Sequence, residues 1–402
     1  MSKPRLLVLT STFPRWRGDT DPRFVYDLCR MLAREFAVTV LAPHCAGAAR
    51  TEEVDGLTVR RFRYAPARLE KLAYDGGIAA RLGRAPAYWL LVPALLLGQL
   101  VAAVRLLRRE DFDVVHAHWL IPQGVVAVAA RSLARRSPRL VCTSHGSDLY
   151  GFNGRLGKLA KRYAVAGADH VAVVSRPMVA AIRRLGGDVP VSVAPMGVDL
   201  RSRFTVDESV ARDPNQMLYI GRLVEGKGLE PLLDAMPRIA ARYPEMKLLL
   251  VGDGQKREEL RRIVDRLGLE GRVVFMGSRR HDQLPDLLRR AGVAALPFGR
   301  DEGLGLTAIE ALGCGCPVVV GDAPAVDDIV ERDVTGFVVD PRDVEALIRA
   351  ISAVRDDPSR ALAMAREGRR RVAARYDWAV VGGHYAKLLR GATVKTCGGT
   401  VG

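Results

Sequence analysis

The sequence predicts an α/β protein made of two doubly wound parallel-sheet domains, and three observations carry that expectation. A chain of 402 residues with 49% hydrophobic content can bury two cores, at about 100–200 residues per domain. Short apolar runs ending in turn residues alternate with longer helical patterns, as consecutive βα units do. That alternation also occurs twice along the chain. The first series of strands is expected at residues 6–10, 38–42, 114–116, 140–144, 171–175 and 191–194. The second is expected at 217–220, 248–251, 273–276, 293–296, 317–320 and 336–339, with a break near residues 196–204. The expected domains are therefore 1–198 and 199–376. A helix at 377–390 is available to complete the first, and a small, Gly-rich tail at 391–402 is expected to be flexible.

The formal charge of +16 points to an anionic partner: nucleic acid, a lipid headgroup or a phosphorylated substrate. It is unevenly placed, with 29 Lys and Arg against 15 Asp and Glu in residues 1–195 and 32 against 30 in residues 196–402. Six cysteines, at 29, 45, 142, 314, 316 and 397, show neither a C-x-x-C pair nor a matching His spacing. They read as small core residues in a reducing compartment, with no zinc site. The opening run reads as a first buried strand, since it lacks the length and cleavage site of a secretory signal.

The longest apolar stretch, residues 85–107, nearly reaches the about 20 apolar residues of a spanning helix. Pro93, Gly98 and Gln99 interrupt it, and Arg81, Arg84, Arg105, Arg108 and Arg109 flank it. It reads as a helix of the fold that can also dip into anionic lipid, with a membrane span as the alternative.

Open parallel sheets bind ligands beyond the carboxyl ends of their strands, so the site is expected there, in a cleft between the two domains. After the strand at 217–220 comes Gly221-Arg222-Leu223-Val224-Glu225-Gly226-Lys227-Gly228, then a helix beginning near Leu229. Arg222 offers a planar fork and Lys227 a compact charge, which suits a leaving diphosphate; a solvated basic turn is the bland alternative. Further along, Glu302-Gly303-Leu304-Gly305-Leu306-Thr307-Ala308-Ile309-Glu310 places one carboxylate in a Gly-rich loop and a second about two turns inside the following helix. Gly303 and Gly305 let a ligand approach the backbone. Glu310, among apolar neighbours, needs hydroxyl donors such as those of a ribose.

These motifs, continuing into Ala311-Leu312-Gly313-Cys314-Gly315-Cys316-Pro317-Val318-Val319, resemble glycosyltransferase family four, the retaining enzymes of GT-B fold with two Rossmann-like domains. The resemblance extends to Asp113-Val114-Val115-His116-Ala117-His118-Trp119, Thr143-Ser144-His145-Gly146-Ser147-Asp148-Leu149 and Pro195-Met196-Gly197-Val198-Asp199. It implies a hexosyltransferase that needs no metal and no cofactor and takes a nucleoside-diphosphate sugar as co-substrate. Its product would be a polysaccharide, a glycolipid or a lipid-linked glycan. By the same resemblance Arg222 and Lys227 hold the donor diphosphate, Glu310 the ribose and Glu302 the donor sugar. Gly221, Gly277, Gly303, Leu304 and Gly305 line the donor, and His145 faces the sugar across the cleft. Near the phosphates, Gly18-Asp19 stands where the family commonly has a Gly-Gly pair. His118 and Asp148 are placed on the acceptor side; His116 and His118 straddle a strand end and are expected to alternate in facing. Retention would follow from same-face attack, the leaving phosphate taking the acceptor's proton. The implied location is cytoplasmic, peripheral on the inner face of the plasma membrane.

Asp19-Thr20-Asp21 superficially mimics an Asp-x-Asp metal motif, but it lies in the first loop beside Pro22 and carries no metal expectation. A dinucleotide oxidoreductase would show G-x-G-x-x-G after the first strand, and this chain does not. A nucleic-acid-binding protein would interleave basic residues with stacking aromatics, which make up only 6% here, and no nucleic-acid motif appears.

Overall fold

The computed structural model describes residues 3–16, 18–19, 22–74, 77–299 and 302–391. The chain divides into two compact units. The first runs up to Gly197 and takes in the helix that starts at Trp378; the second is Val198–Asp377.

In the first unit the strands are β1 (Arg5–Leu9), β2 (Ala37–Pro43), β3 (Thr51–Val54), β4 (Leu57–Phe62), β5 (Val114–His118), β6 (Arg139–Ser144), β7 (His170–Val173) and β8 (Val191–Val193). They form one sheet in the order β3-β4-β2-β1-β5-β6-β7-β8, parallel except for the β3–β4 hairpin. Leu6, Leu7, Val8 and Leu9 of the central β1 are all fully buried, as a strand covered on both faces requires. The β3–β4 hairpin was not among the expected strands. Its signal is nevertheless in the sequence: Asp55-Gly56, with φ of 49° and 78°, is a two-residue turn of the kind that Asp-Gly favours.

The helices of this unit are α1 (Phe24–Leu32), α2 (Gly77–Arg84), α3 (Leu91–Arg109), α4 (Val125–Ser132), α5 (Ser147–Tyr150), α6 (Arg155–Ala166) and α7 (Pro177–Leu185). Pro93 falls in the first turn of α3, where its missing N–H costs nothing, so the helix runs unbroken through Gly98 and Gln99. Gly98 is needed because a Cβ there would lie 2.7 Å from the Arg63 carbonyl oxygen. Right-handed crossovers put α3, α4 and α6 in one layer on one face of the sheet, with α4 packed between the other two. α1 covers the opposite face.

The second unit holds β9 (Asp213–Ile220), α8 (Leu229–Arg242), β10 (Lys247–Val251), α9 (Arg257–Arg266), β11 (Val273–Gly277), α10 (Leu284–Arg290), β12 (Ala291–Leu296), α11 (Leu306–Gly313), β13 (Val318–Gly321), β14 (Phe337–Val339), α12 (Val344–Asp356) and α13 (Pro358–Tyr376). Its sheet is wholly parallel, ordered β11-β10-β9-β12-β13-β14. Asp343 and Asp357 cap α12 and α13, each carboxylate accepting a hydrogen bond from a first-turn N–H at 2.9 Å. The last helix, α14 (Trp378–Leu389), returns to the first unit and packs on α1. That close approach depends on Gly382, where a Cβ would meet Met31 at 2.7 Å. The tail expected beyond this helix lies, from residue 392 on, outside the described residues.

Candidate functional site

In the second sheet the chain winds outward one way from β9 to β11 and the other way from β12 to β14. The switch point lies between β9 and β12, where a doubly wound sheet opens a crevice at its strand ends. The loops following these two strands carry Arg222, Lys227 and Glu302, and the structure brings the last two together. Lys227 Nζ lies 2.6 Å from Glu302 Oε2, and the other oxygen, Oε1, accepts the Gly305 N–H at 3.2 Å. Burial alone would push the Glu302 carboxyl up, but Lys227 and the backbone N–H groups of Gly305 and Leu304 outweigh it and hold the group below the usual glutamate value. The guanidinium of Arg222 is exposed and has no partner among the described residues.

Glycines set the spacing of these loops. Gly228, in the left-handed region at φ 66°, precedes α8, and a Cβ there would sit 1.9 Å from the Pro297 carbonyl oxygen. At Gly221 a Cβ would meet the Tyr219 hydroxyl at 2.7 Å. Gly305, at φ 79°, caps α11 and leaves its first N–H groups directed outward beside Glu302. Gly303 and Leu304 are buried under this turn. Gly277, φ 69°, ends β11 with open space where a Cβ would stand. Residues 300 and 301, inside the same loop, lie outside the described residues.

Glu310 is the fifth residue of α11, so it stands just over one turn inside the helix and not two. The helix starts later than expected because Gly305 forms its cap. The carboxylate is buried, and Oε1 lies 2.8 Å from His281 Nε2. His281 Nδ1 is in turn 3.0 Å from Arg203 Nη1. Arginine only donates, so Nδ1 accepts and Nε2 carries the proton donated to Glu310. Arg203, His281 and Glu310 thus form a line that fixes both the carboxylate and the imidazole tautomer. Sequence reasoning missed His281 and Arg203, because residues 29 and 107 positions from Glu310 meet only through the fold. The sole local hint was His281 standing a few residues past a strand end.

In the first unit the switch point falls between β1 and β5. His116 and His118 both lie within β5, which runs two residues further than expected. As i and i+2 of a strand they share one face, with ring centroids 4.2 Å apart, and do not alternate. Both are fully buried. His118 therefore does not line an open acceptor surface; its Nδ1 lies 2.9 Å from His145 Nε2, behind it. His145 packs against the rings of Phe24 and Trp119, at 5.0 and 4.8 Å. Asp148 is also buried and fully engaged, accepting from Leu120 N, Ser144 Oγ and His145 N at 2.7, 3.0 and 3.0 Å. It ties the turn after β6 to the turn after β5. Trp119, held at φ 73°, starts the loop that these bonds shape. Gly18, at φ 83°, has open space around it. Asp19 is buried against Arg15, whose Nε and Nη2 donate to its two oxygens at 2.9 and 2.8 Å, so this carboxylate is already neutralised. Thr20 and Asp21 lie outside the described residues.

Burial draws the His116 imidazole down to about 3, and burial followed by the charge of His116 does the same to His145. His118 falls well below the ordinary histidine value through burial and its two histidine neighbours. In the unfolded chain each protonates near 6.5, so between about pH 3 and 6.5 the unfolded state binds more protons. The stability these groups carry is complete above about pH 6.5 and is lost as pH falls. At pH 5.5 His116 and His145 together should cost about 3 kcal/mol, or about 6–12 °C in melting temperature, and His118 adds to the loss in the same direction. Thermal melts at pH 7.5 and 5.5 check this; a melting point that does not move would contradict a neutral histidine cluster.

Residues 22–202 match the family described as Glycosyltransferase Family 4, and residues 202–371 the one described as Glycosyl transferases group 1. A GDP-mannose-dependent alpha-(1-6)-phosphatidylinositol monomannoside mannosyltransferase of Mycolicibacterium smegmatis is 30% identical over 96% of this chain and 98% of its own length. The chain belongs to the group 1 glycosyltransferases. Its fold is GT-B: sucrose-phosphate synthase from Thermosynechococcus elongatus superposes with a TM-score of 0.78 at 23% identity, over 97% of this chain and 99% of that one. HepE of Anabaena, in complex with UDP and glucose, superposes with a TM-score of 0.74 at 21% identity, over 96% and 99%. This glycosyltransferase is an enzyme of glycan or glycolipid synthesis that draws on a nucleotide sugar. The family, the GT-B fold class and the glycosyltransferase activity expected from the sequence hold.

Proposed function

We propose that this glycosyltransferase moves a hexosyl unit from a nucleoside-diphosphate sugar to a hydroxyl of a lipid-linked acceptor, with retention at the anomeric carbon and without a metal ion. The observation that carries the proposal is that the loops at the switch point of the second sheet carry both the unpartnered Arg222 guanidinium and the Lys227–Glu302 pair. Two cations at a strand end can neutralise the charge that develops on a departing diphosphate, which is the main electrostatic demand of this chemistry. With Lys227 and the Gly305 N–H on its two oxygens, Glu302 stays ionised and fixed, ready to accept from donor-sugar hydroxyls. Glu310, fixed by His281, is placed to accept from ribose hydroxyls. The leaving phosphate serves as the base for the acceptor hydroxyl.

Two observations support a lipid-linked acceptor at a membrane surface. The Mycolicibacterium smegmatis relative, matched over nearly its whole length, is named for a phosphatidylinositol monomannoside acceptor. In the first unit, α3 buries Leu95, Gln99, Ala103, Leu106 and Leu107 but exposes Leu97 and Val101 on the opposite face, with Leu90 just before the helix and Arg105, Arg108 and Arg109 toward its end. The stretch Pro86–Arg109 is long and apolar enough to cross a membrane, yet one face of it is built into the unit, which favours a surface contact over a span.

GDP-mannose is the donor to test first, as the donor named for that relative. A thermal-shift panel of GDP, UDP and ADP, each with and without EDTA, provides the test. A nucleotide at 100 times its dissociation constant adds about 2.7 kcal/mol of stability. Stabilisation by one nucleoside diphosphate that EDTA leaves unchanged is the expected outcome, and GDP the expected base. A shift that EDTA abolishes would sink metal independence, and no shift with any of the three would sink the donor site drawn around Arg222 and Lys227.

A further inference from the structure

The helix α6 shows the core only a narrow edge: Lys161, Ala164 and Val165 are buried. Its opposite side is apolar and open. Leu156 is 84% exposed, Leu159 65% and Tyr163 45%, and Phe152, in the turn leading into the helix, is 39% exposed. Within the helix the spacing 156, 159, 163 aligns Leu156, Leu159 and Tyr163 along one side, and Phe152 stands in the turn just before its N-terminus. Arg155, Lys158 and Arg162 stand exposed along one flank, and none of them pairs with a carboxylate among the described residues.

This surface is held in place from below. The buried Lys161 ammonium donates to the carbonyl oxygens of Leu149 and Gly151 and, at 3.3 Å, to Asn153 Oδ1, which clips the turn carrying Phe152 onto the helix. Gly157 lets that turn close, since a Cβ there would meet the Phe152 carbonyl oxygen at 1.9 Å. Phe152 itself is held at φ 51°, in the left-handed region. A lysine taken out of water and a strained phenylalanine are a large structural investment in a turn whose aromatic residue stays partly exposed.

We propose that α6 together with Phe152 is an interfacial membrane contact, an element separate from α3, that seats the first unit on an anionic bilayer. An apolar stripe beside a row of unpaired cations matches the acyl boundary and the phosphates of such a surface at once. The placement fits as well. α6 and α3 lie in the same helix layer on either side of α4, and as crossover helices of a parallel sheet both begin at the end where the strands finish. Phe152, Leu156, Leu90 and Leu97 therefore sit toward the sheet end that bears the loop after β5 and His145. This inference rests on the membrane reading of the proposed function and names a second element that performs it.

The test is co-sedimentation of the full chain with phosphatidylcholine vesicles that contain or lack 30% phosphatidylglycerol. The variants are Leu156→Ser with Leu159→Ser, Arg155→Ser with Lys158→Ser and Arg162→Ser, and Leu90→Ser with Leu97→Ser on α3. All these residues are exposed, and unchanged thermal melts with the nucleotide-induced shift retained verify folding. Wild type should bind only the anionic vesicles. The triple cation variant should bind about 100-fold more weakly, at about fivefold per cation, and the α6 leucine variant at least tenfold more weakly. Wild-type binding that falls in the α3 variant but in neither α6 variant overturns this inference while the membrane reading stands. Absence of wild-type binding to anionic vesicles overturns both. A wild-type dimer in light scattering that the α6 leucine variant converts to monomer, with vesicle binding unchanged, assigns the stripe to a second copy of the chain and also overturns it.

Discussion

Arg222→Ala is expected to lower turnover by about 10²–10³, the loss that follows removal of a preorganised donor from a developing anion. Melting behaviour should barely change, because the guanidinium is exposed and unpartnered and such surface substitutions stay within about 0.5 kcal/mol. Arg222→Lys should recover only part of the rate, since a point charge lacks the planar two-point fork that matches a diphosphate. Steady-state kinetics with the donor identified by the nucleotide panel, run beside thermal melts, give both quantities. Turnover near wild type would remove Arg222 from the diphosphate site. Lys227→Ala should differ in kind: it strips Glu302 of its ion-pair partner inside a largely buried loop, so stability and turnover should fall together.

Gly228→Ala should be among the most damaging single methyl groups in the second unit. The added Cβ would fall 1.9 Å from the Pro297 carbonyl oxygen and 3.1 Å from its Cβ, in a residue already at φ 66°. Neither atom can swing away, because Pro297 follows directly on β12 and the Gly299 N–H donates to the Gly226 carbonyl at 2.8 Å, which locks the two loops together. The expected cost is about 3 kcal/mol or more, or about 6–12 °C in melting temperature. Nucleotide binding should weaken as Lys227 moves away from Glu302. Gly226→Ala is the control: its φ is also positive, 77°, but nothing lies within 4 Å of the new Cβ, so only the left-handed conformation is penalised, at about 1 kcal/mol. Equal melting points for the two variants would show that the contact with Pro297 does not set the loop spacing.

Periodicity decided much of the fold in advance. Each of the twelve expected strands has a counterpart within a few residues, because a parallel strand covered on both faces needs an uninterrupted apolar run that is legible without any partner. The β3–β4 hairpin escaped because its outward residues are polar and its strands short, although Asp55-Gly56 marks it. Ends of elements were less legible. β5 continues through His118 because the buried imidazoles bond to Thr143 and His145 instead of to water, and α11 begins late because Gly305 rather than Glu302 ends the loop.

By itself the sequence determined the α/β class, the two series of βα units and the family of the enzyme. It also marked the residue types able to meet a diphosphate and a ribose, since hydrophobic period and short-range motif spacing are local properties of the chain. Only the tertiary structure decided which of those groups act on one another. It paired Lys227 with Glu302 across two strands that are neighbours in space and far apart in sequence, and it ran Arg203 through His281 to Glu310. His118 and Asp148 became buried supports of the turns after β5 and β6, and a buried lysine clipped the turn carrying Phe152. Such pairings depend on strand order, and strand order follows from how separate apolar surfaces pack in three dimensions, which no local pattern encodes.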